Sequence, residues 1–307
     1  MSGPGVTARI AAASANCASI AGSGMNCVMA PPGLDHLAAP RACRPMHRMR
    51  RHRRPMTAAM PANQDPFGLW SNPILALALV IGWFALVVAF AMLPAVDLAA
   101  SALFFDETAC ARSAGADRCA GFPLASSPRA NAVRDLLQHA PVAIGLALSV
   151  LLVLDLRDGA RWRHVQLRTK AIVLATLALG PGVIVNGVLK EFWGRPRPWM
   201  TEPFGGTMPF VEAGSMAGAC AGNCSFVSGE AAGGGWLICL TVLFPPELRR
   251  AAFVVLALAG VTTAIGRVAF GAHFLSDAVL GVLLPPALFC TFAAIAASMR
   301  RGRAPAV

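Results

Sequence analysis

Charge is scarce in this chain, and acid is scarcer than base. Of 307 residues only 13% are charged, 15 of them Asp or Glu against 26 Lys or Arg, for a formal charge of +11. With 56% hydrophobic residues and a mean hydropathy of +0.60, a water-soluble globule would have more apolar surface than it could bury. That excludes an ordinary soluble domain and predicts an all-α integral membrane protein. The basic excess does not point to nucleic acid, because the arginines form short clusters beside apolar runs and no polar domain carries them. The nine cysteines lack zinc-like spacing with histidine, so no metal site or other cofactor is expected.

The first seventy or so residues lack any sustained period of 2 or 3.6 and include the run RPMHRMRRHRRP from Arg44 to Pro55. Residues 1–68 therefore read as a disordered basic tail. The stretch ARIAAASANCASIAGS is too weakly apolar for a signal peptide, and Met46, Met49, Met56 and Met60 permit a later start. Beyond the tail, apolar spans are predicted at Pro73 to Ala95, His139 to Leu156, Ala171 to Leu189, Ala231 to Phe244, Ala251 to Val268 and Ala278 to Ser298. Six transmembrane helices in one domain, residues 69–303, is the expectation. The fourth is short of the roughly twenty residues a bilayer requires and opens on GEAAGGG, which permits close backbone approach to a helix or a ligand.

Arginine placement assigns a topology. The basic tail and the basic clusters at 157–170, 247–250 and 299–303 fall on one side of a six-span chain, predicted to be cytoplasmic together with both termini. The segments Val96 to Gln138, Lys190 to Gly229 and Arg267 to Asp277 then lie outside, at the periplasmic face of a bacterial inner membrane. There Cys110 with Cys119, and Cys220 with Cys224, are positioned to form disulfides, while Cys239 and Cys290 read as packing residues within helices. The outer stretch DLAASALFFD reads as an amphipathic segment on the membrane or a cover over helix ends, and Trp193 and Trp199 read as interfacial anchors.

Three groups on the outer side concentrate chemistry: Lys190 with Arg197; NCSFVSGE, from Asn223 to Glu230; and GRVAFGAHFLSD, from Gly266 to Asp277. Taken singly, cations at helix ends are ordinary snorkelling anchors. Taken together, Lys190, Arg197 and Arg267 form a cationic clamp suited to a phosphoryl group. Ser228 and Gly229 at a helix start add a hydroxyl and backbone N–H donors. The i, i+4 spacing lets Asp277 accept from one imidazole nitrogen of His273 and leave the other as a nucleophile.

The pattern K-x6-RP, SG at a helix start and R-x5-H-x3-D resembles the type 2 phosphatidic acid phosphatase family, over roughly Leu69 to Arg303. The resemblance implies a six-helix bundle with its active site at the periplasmic face and a phosphohistidine formed on His273, oriented by Asp277. It also implies phosphate contacts from Lys190, Arg197, Arg267, Ser228 and Gly229, no metal, and a phosphorylated membrane lipid as substrate. Two departures stand out. Gly266 replaces a serine, and Glu230 stands where the family has the histidine that protonates the leaving group. Glu230 could act as a base toward water, the leaving group could need little protonation, or His139 could substitute. Undecaprenyl diphosphate, lipid A phosphates, phosphatidylglycerol phosphate and phosphatidate are the candidate substrates. A lipid phosphotransferase and a non-catalytic phospholipid binder are the alternative functions.

Overall fold

The computed structural model describes residues 66–113, 119–161 and 164–301, so all but the last three residues of the expected basic tail lie outside the described residues. The order is α1 (Pro73–Met92), α2 (Pro94–Ala102), α3 (Glu107–Arg112), α4 (Pro128–Arg157), α5 (Val165–Phe192), α6 (Gly229–Leu243), α7 (Arg249–Ala269) and α8 (Leu275–Arg301). No strand occurs among the described residues. Helices α1, α4, α5, α7 and α8 are long and apolar enough to cross a membrane; α6 is shorter. Five helices of spanning length thus stand where six spans were expected.

The exposed side chains of α1 include Ile74, Leu77, Ile81, Phe84, Val88 and Met92. Large apolar residues left outward at helical spacing are what a lipid-facing surface requires. Inside the bundle lipid offers no hydrophobic penalty to escape, so close backbone packing and polar links hold the helices. Helix α6 supplies them. Its residues from Ala231 to Leu237 are all buried, and a Cβ on Gly235 would run into the Val282 backbone of α8. A Cβ on Gly234 would lie 2.9 Å from Gly260 Cα on α7. The glycine run lets α6 sit at the centre of the bundle. Trp236 Nε1 donates to Val173 O of α5 at 2.8 Å, and Trp83 Nε1 of α1 donates to Leu280 O of α8 at 2.9 Å.

Two irregularities shape the end of the bundle that carries the site. Helix α5 is α-helical to Leu177 and then π-helical over Ala178–Leu189. Pro181 lies in this stretch, where its missing N–H interrupts the ladder, and Asn186 Nδ2 donates to the Pro181 carbonyl at 2.7 Å. Helix α4 starts at Pro128, well before the His139 expected for it. Ser127 accepts from Ala130 N and Pro128 occupies the first turn, so the extra turns have a proper start.

The cysteines pair as expected, Cys110 with Cys119 and Cys220 with Cys224, while Cys239 and Cys290 are free and buried. Trp193 stacks on Phe226 with ring centres 4.9 Å apart, and Trp199 packs against the Phe122, Phe204 and Phe274 cluster. The DLAASALFFD stretch includes the end of α2, whose Asp97 and Ser101 are fully buried. Asp97 reaches inward and accepts from Ser276 N in the first turn of α8.

Candidate active site

Four segments converge on a cavity of about 410 Å³ lined by Lys190, Arg197, Arg267, His273, Gly229 and Glu230. The three outer groups singled out in the sequence therefore meet in one place. Lys190 sits near the tip of α5. Gly229 opens α6, where a Cβ would lie 2.6 Å from Asn186 Oδ1 and 3.1 Å from Lys190 Nζ, so the lysine can approach the helix N-terminus only because no side chain intervenes. Arg197 is held by Asn223, its Nη2 donating to the backbone carbonyl at 2.9 Å and to Oδ1 at 2.8 Å. Arg267 ends α7, is 5% exposed, and its Nε is buried without a hydrogen-bond partner. A buried donor without an acceptor is costly and fits a site that takes an anion.

His273 is 1% exposed and lies in the turn between α7 and α8. Its Nδ1 is 2.8 Å from the carbonyl oxygen of Ser225. A carbonyl only accepts, so this contact places the proton on Nδ1 and leaves Nε2 with its lone pair. The expected Asp277 hydrogen bond is replaced: Asp277 Oδ2 stands 3.9 Å from Nδ1. That carboxylate accepts instead from Ser225 Oγ, from Phe274 N at 3.0 Å and, at Oδ1, from Arg195 Nη1 at 2.6 Å. The reason is geometric. His273 precedes the helix, so the i, i+4 pair does not share a helical face, and Asp277 steadies the backbone around the imidazole.

Arg195 was not singled out in the sequence. It is fully buried, bridging Asp277 and Asp97 of α2, its Nη2 donating to Asp97 Oδ2 at 2.7 Å and its Nε to Val211 O at 2.8 Å. Asp97 also accepts from Ser276 N at 2.8 Å. Of the two arginines in GRPRP, then, one faces the cavity and one locks the scaffold behind it.

Ser228 lies behind the cavity wall. It is fully buried, its Oγ accepts from Ala231 N at 3.2 Å and its N–H donates to Asp277 O at 3.0 Å. Its hydroxyl caps α6, while the adjoining Gly229 lines the cavity. Glu230 is held by two guanidinium groups. Arg134 of α4 donates to both of its oxygens, at 2.8 and 3.2 Å, and Arg267 Nη1 lies 3.3 Å from Oε1. Arg134 was also missed, since 96 residues separate it from its partner. His139 and Gln138 line the cavity as well, and His139 Nδ1 is 2.7 Å from Asp135 O.

Burial holds the His273 pKa well below the usual imidazole value of 6.5, with Arg267, Arg197 and Lys190 lowering it further. A depressed pKa keeps the ring neutral from alkaline pH down to well under 6.5, and the free Nε2 lone pair is lost to protonation only below that. The acid limb of kcat/KM assigned to this ring should therefore fall clearly below pH 6.5, read after the substrate's own phosphate ionisation has been titrated and divided out. A limb at or above the ordinary histidine value would contradict the buried, cation-flanked environment.

A cationic cavity with a neutral, singly protonated imidazole, built on a helical membrane scaffold, places the chain in a definite class. It belongs to the PAP2 superfamily, whose family model matches residues 170–301. Among individual proteins, the chain is 38% identical over 242 residues to the lipid A 4'-phosphatase of Rhizobium etli strain CFN 42, covering 75% of this chain and 94% of that protein. It is 40% identical over 220 residues to the lipid A 4'-phosphatase of Rhizobium leguminosarum, covering 71% of this chain and 94% of the relative. A PAP2-type phosphatidylglycerolphosphate phosphatase from Bacillus subtilis superposes with a TM-score of 0.47 at 18% identity, covering 74% of this chain and 98% of that structure.

Proposed function

We propose that this membrane phosphatase removes a phosphomonoester from a lipid A-type glycolipid at the periplasmic face of the inner membrane, through a phosphohistidine on His273. The observation that carries the reading is His273 with Nδ1 engaged by a backbone carbonyl, in one cavity with Lys190, Arg197 and Arg267. In the first step Nε2 attacks phosphorus, the ester P–O bond breaks, and the leaving oxygen departs with a proton from the medium. In the second, water attacks the phosphohistidine, the N–P bond breaks and inorganic phosphate leaves. The three cations bind the phosphoryl oxygens, whose charge dominates the transition state. Glu230, clamped by Arg134 and Arg267, serves as the anchor of those arginines in this scheme. Both of its oxygens are engaged by Arg134 and one also faces Arg267, which fits a positioning role.

The relatives named for lipid A 4'-phosphate favour a glycolipid over the other candidate lipids. The arginine clusters support a six-crossing topology with α6 as the sixth span, both termini cytoplasmic and the cavity outside. The test is phosphate release by purified protein in detergent micelles from lipid A, undecaprenyl diphosphate and phosphatidic acid in parallel. Release of free phosphate fastest from lipid A is the expected result. Phosphate recovered on a second lipid instead would reassign the chain as a transferase, and preference for another lipid would replace the substrate.

A further inference from the structure

We propose that Arg134 and Gln138 of α4 form a subsite for the group to which the scissile phosphate is attached, and that this group is a sugar carrying hydroxyl or acylamide functions. The inference rests on the phosphatase reading above and assigns its specificity. None of the three motif groups that meet in the cavity comes from α4, yet this helix supplies one wall of it through Arg134, Gln138, Pro141 and Val142. Arg134 and Gln138 are four residues apart and so project from one helical face. Arg134 is locked in place by both oxygens of Glu230, the residue that departs from the family pattern. That departure thus installs a fixed guanidinium on the α4 side of the cavity.

Gln138 gives the chemistry its direction. Its Oε1 is buried and has no hydrogen-bond partner, one of four such side-chain atoms among the described residues. Buried acceptors are almost always satisfied, so a ligand donor is the natural complement. Arg134 offers only donors and so asks for an acceptor. A sugar hydroxyl or an acylamide provides both at once. The diacylglycerol of phosphatidate offers ester carbonyls but no donor, and the polyprenyl phosphate released from a diphosphate offers acceptor oxygens but no donor; of the other candidates only phosphatidylglycerol phosphate carries a hydroxyl beside its ester, and it has no acylamide. Sites that hydrogen-bond a substrate polar group discriminate against analogues that lack it, because the site's own group is then left unpaired.

The experiment compares wild type with Gln138→Leu on lipid A in micelles, with inorganic phosphate titrated as a competitive inhibitor in the same assay. The expected result is a fall in kcat/KM for lipid A of about tenfold, the scale of one lost hydrogen bond, with the phosphate inhibition constant unchanged within about twofold. An unchanged kcat/KM overturns the subsite. So does a parallel weakening of phosphate inhibition, which marks general damage to the cavity, and Gln138→Asn, which keeps the amide, separates loss of the group from loss of packing. If wild type releases phosphate from no lipid, the phosphatase reading fails first, and that outcome is visible before any variant is made.

Discussion

His273→Ala should abolish phosphate release, with kcat falling by at least about 10⁴-fold, because the proposed reaction runs through covalent attack by this ring. The change is confined to a side chain whose ring nitrogen contacts one backbone carbonyl, so the protein should still purify as a folded membrane protein. Rapid acid-free quenching with radiolabelled lipid should trap a phosphorylated wild-type chain whose label is acid-labile and alkali-stable, and the variant should carry none. Should the variant retain more than about one hundredth of wild-type turnover, the nucleophile is another residue. The magnitude follows from the division of labour in the cavity: cations without a nucleophile can bind phosphate and orient water, but they must then achieve hydrolysis in one step.

The second large effect is structural. Arg195 lies between Asp97 and Asp277, all three fully buried, with the guanidinium carbon 4.5 Å from the centre of the Phe274 ring. Arg195→Met would leave two buried carboxylates facing each other without a cation. Breaking a buried ion pair from one side costs about 3–5 kcal/mol, and for a chain of this size that corresponds to a drop in Tm on the order of 10 °C. Thermal unfolding in detergent is the readout, and adding Asp97→Asn should recover part of the loss by removing one uncompensated charge. An unaltered Tm in Arg195→Met would mean that the triad contributes nothing to stability. Turnover should fall too, since Asp277 and Ser225 set the backbone that orients His273.

What could be read from the sequence divides along the range of the interactions involved. Apolar runs report their own location, so the long helices appear within a few residues of their expected positions, as at Pro73 and at Ala251 against Arg249. Motif residues gathered in the cavity because their neighbours form rigid helix ends. The start of α4 was missed because Arg129, Arg134 and Asp135 dilute its hydropathy, although the Ser127-Pro128 opening is a recognisable helix start. Arg195 and Arg134 escaped for a different reason. Their partners lie far along the chain, and no local pattern marks an arginine as internal. The His273–Asp277 spacing indicated proximity correctly, but a turn residue does not obey helical facing, and the backbone carbonyl took the role assigned to the carboxylate.

The link between Asp97 and Ser276 joins positions 179 residues apart, and this has a consequence for biosynthesis. As the nascent chain emerges, α2 is delivered early and the segment bearing Ser276 and Asp277 comes late, so Asp97 waits 179 residues for Ser276 and Arg195 waits 82 for Asp277. The polar cluster behind His273 is therefore incomplete until the last span arrives. It closes in a single late event, when the C-terminal helix docks, and ribosome-bound intermediates lacking that helix should be inserted yet inactive.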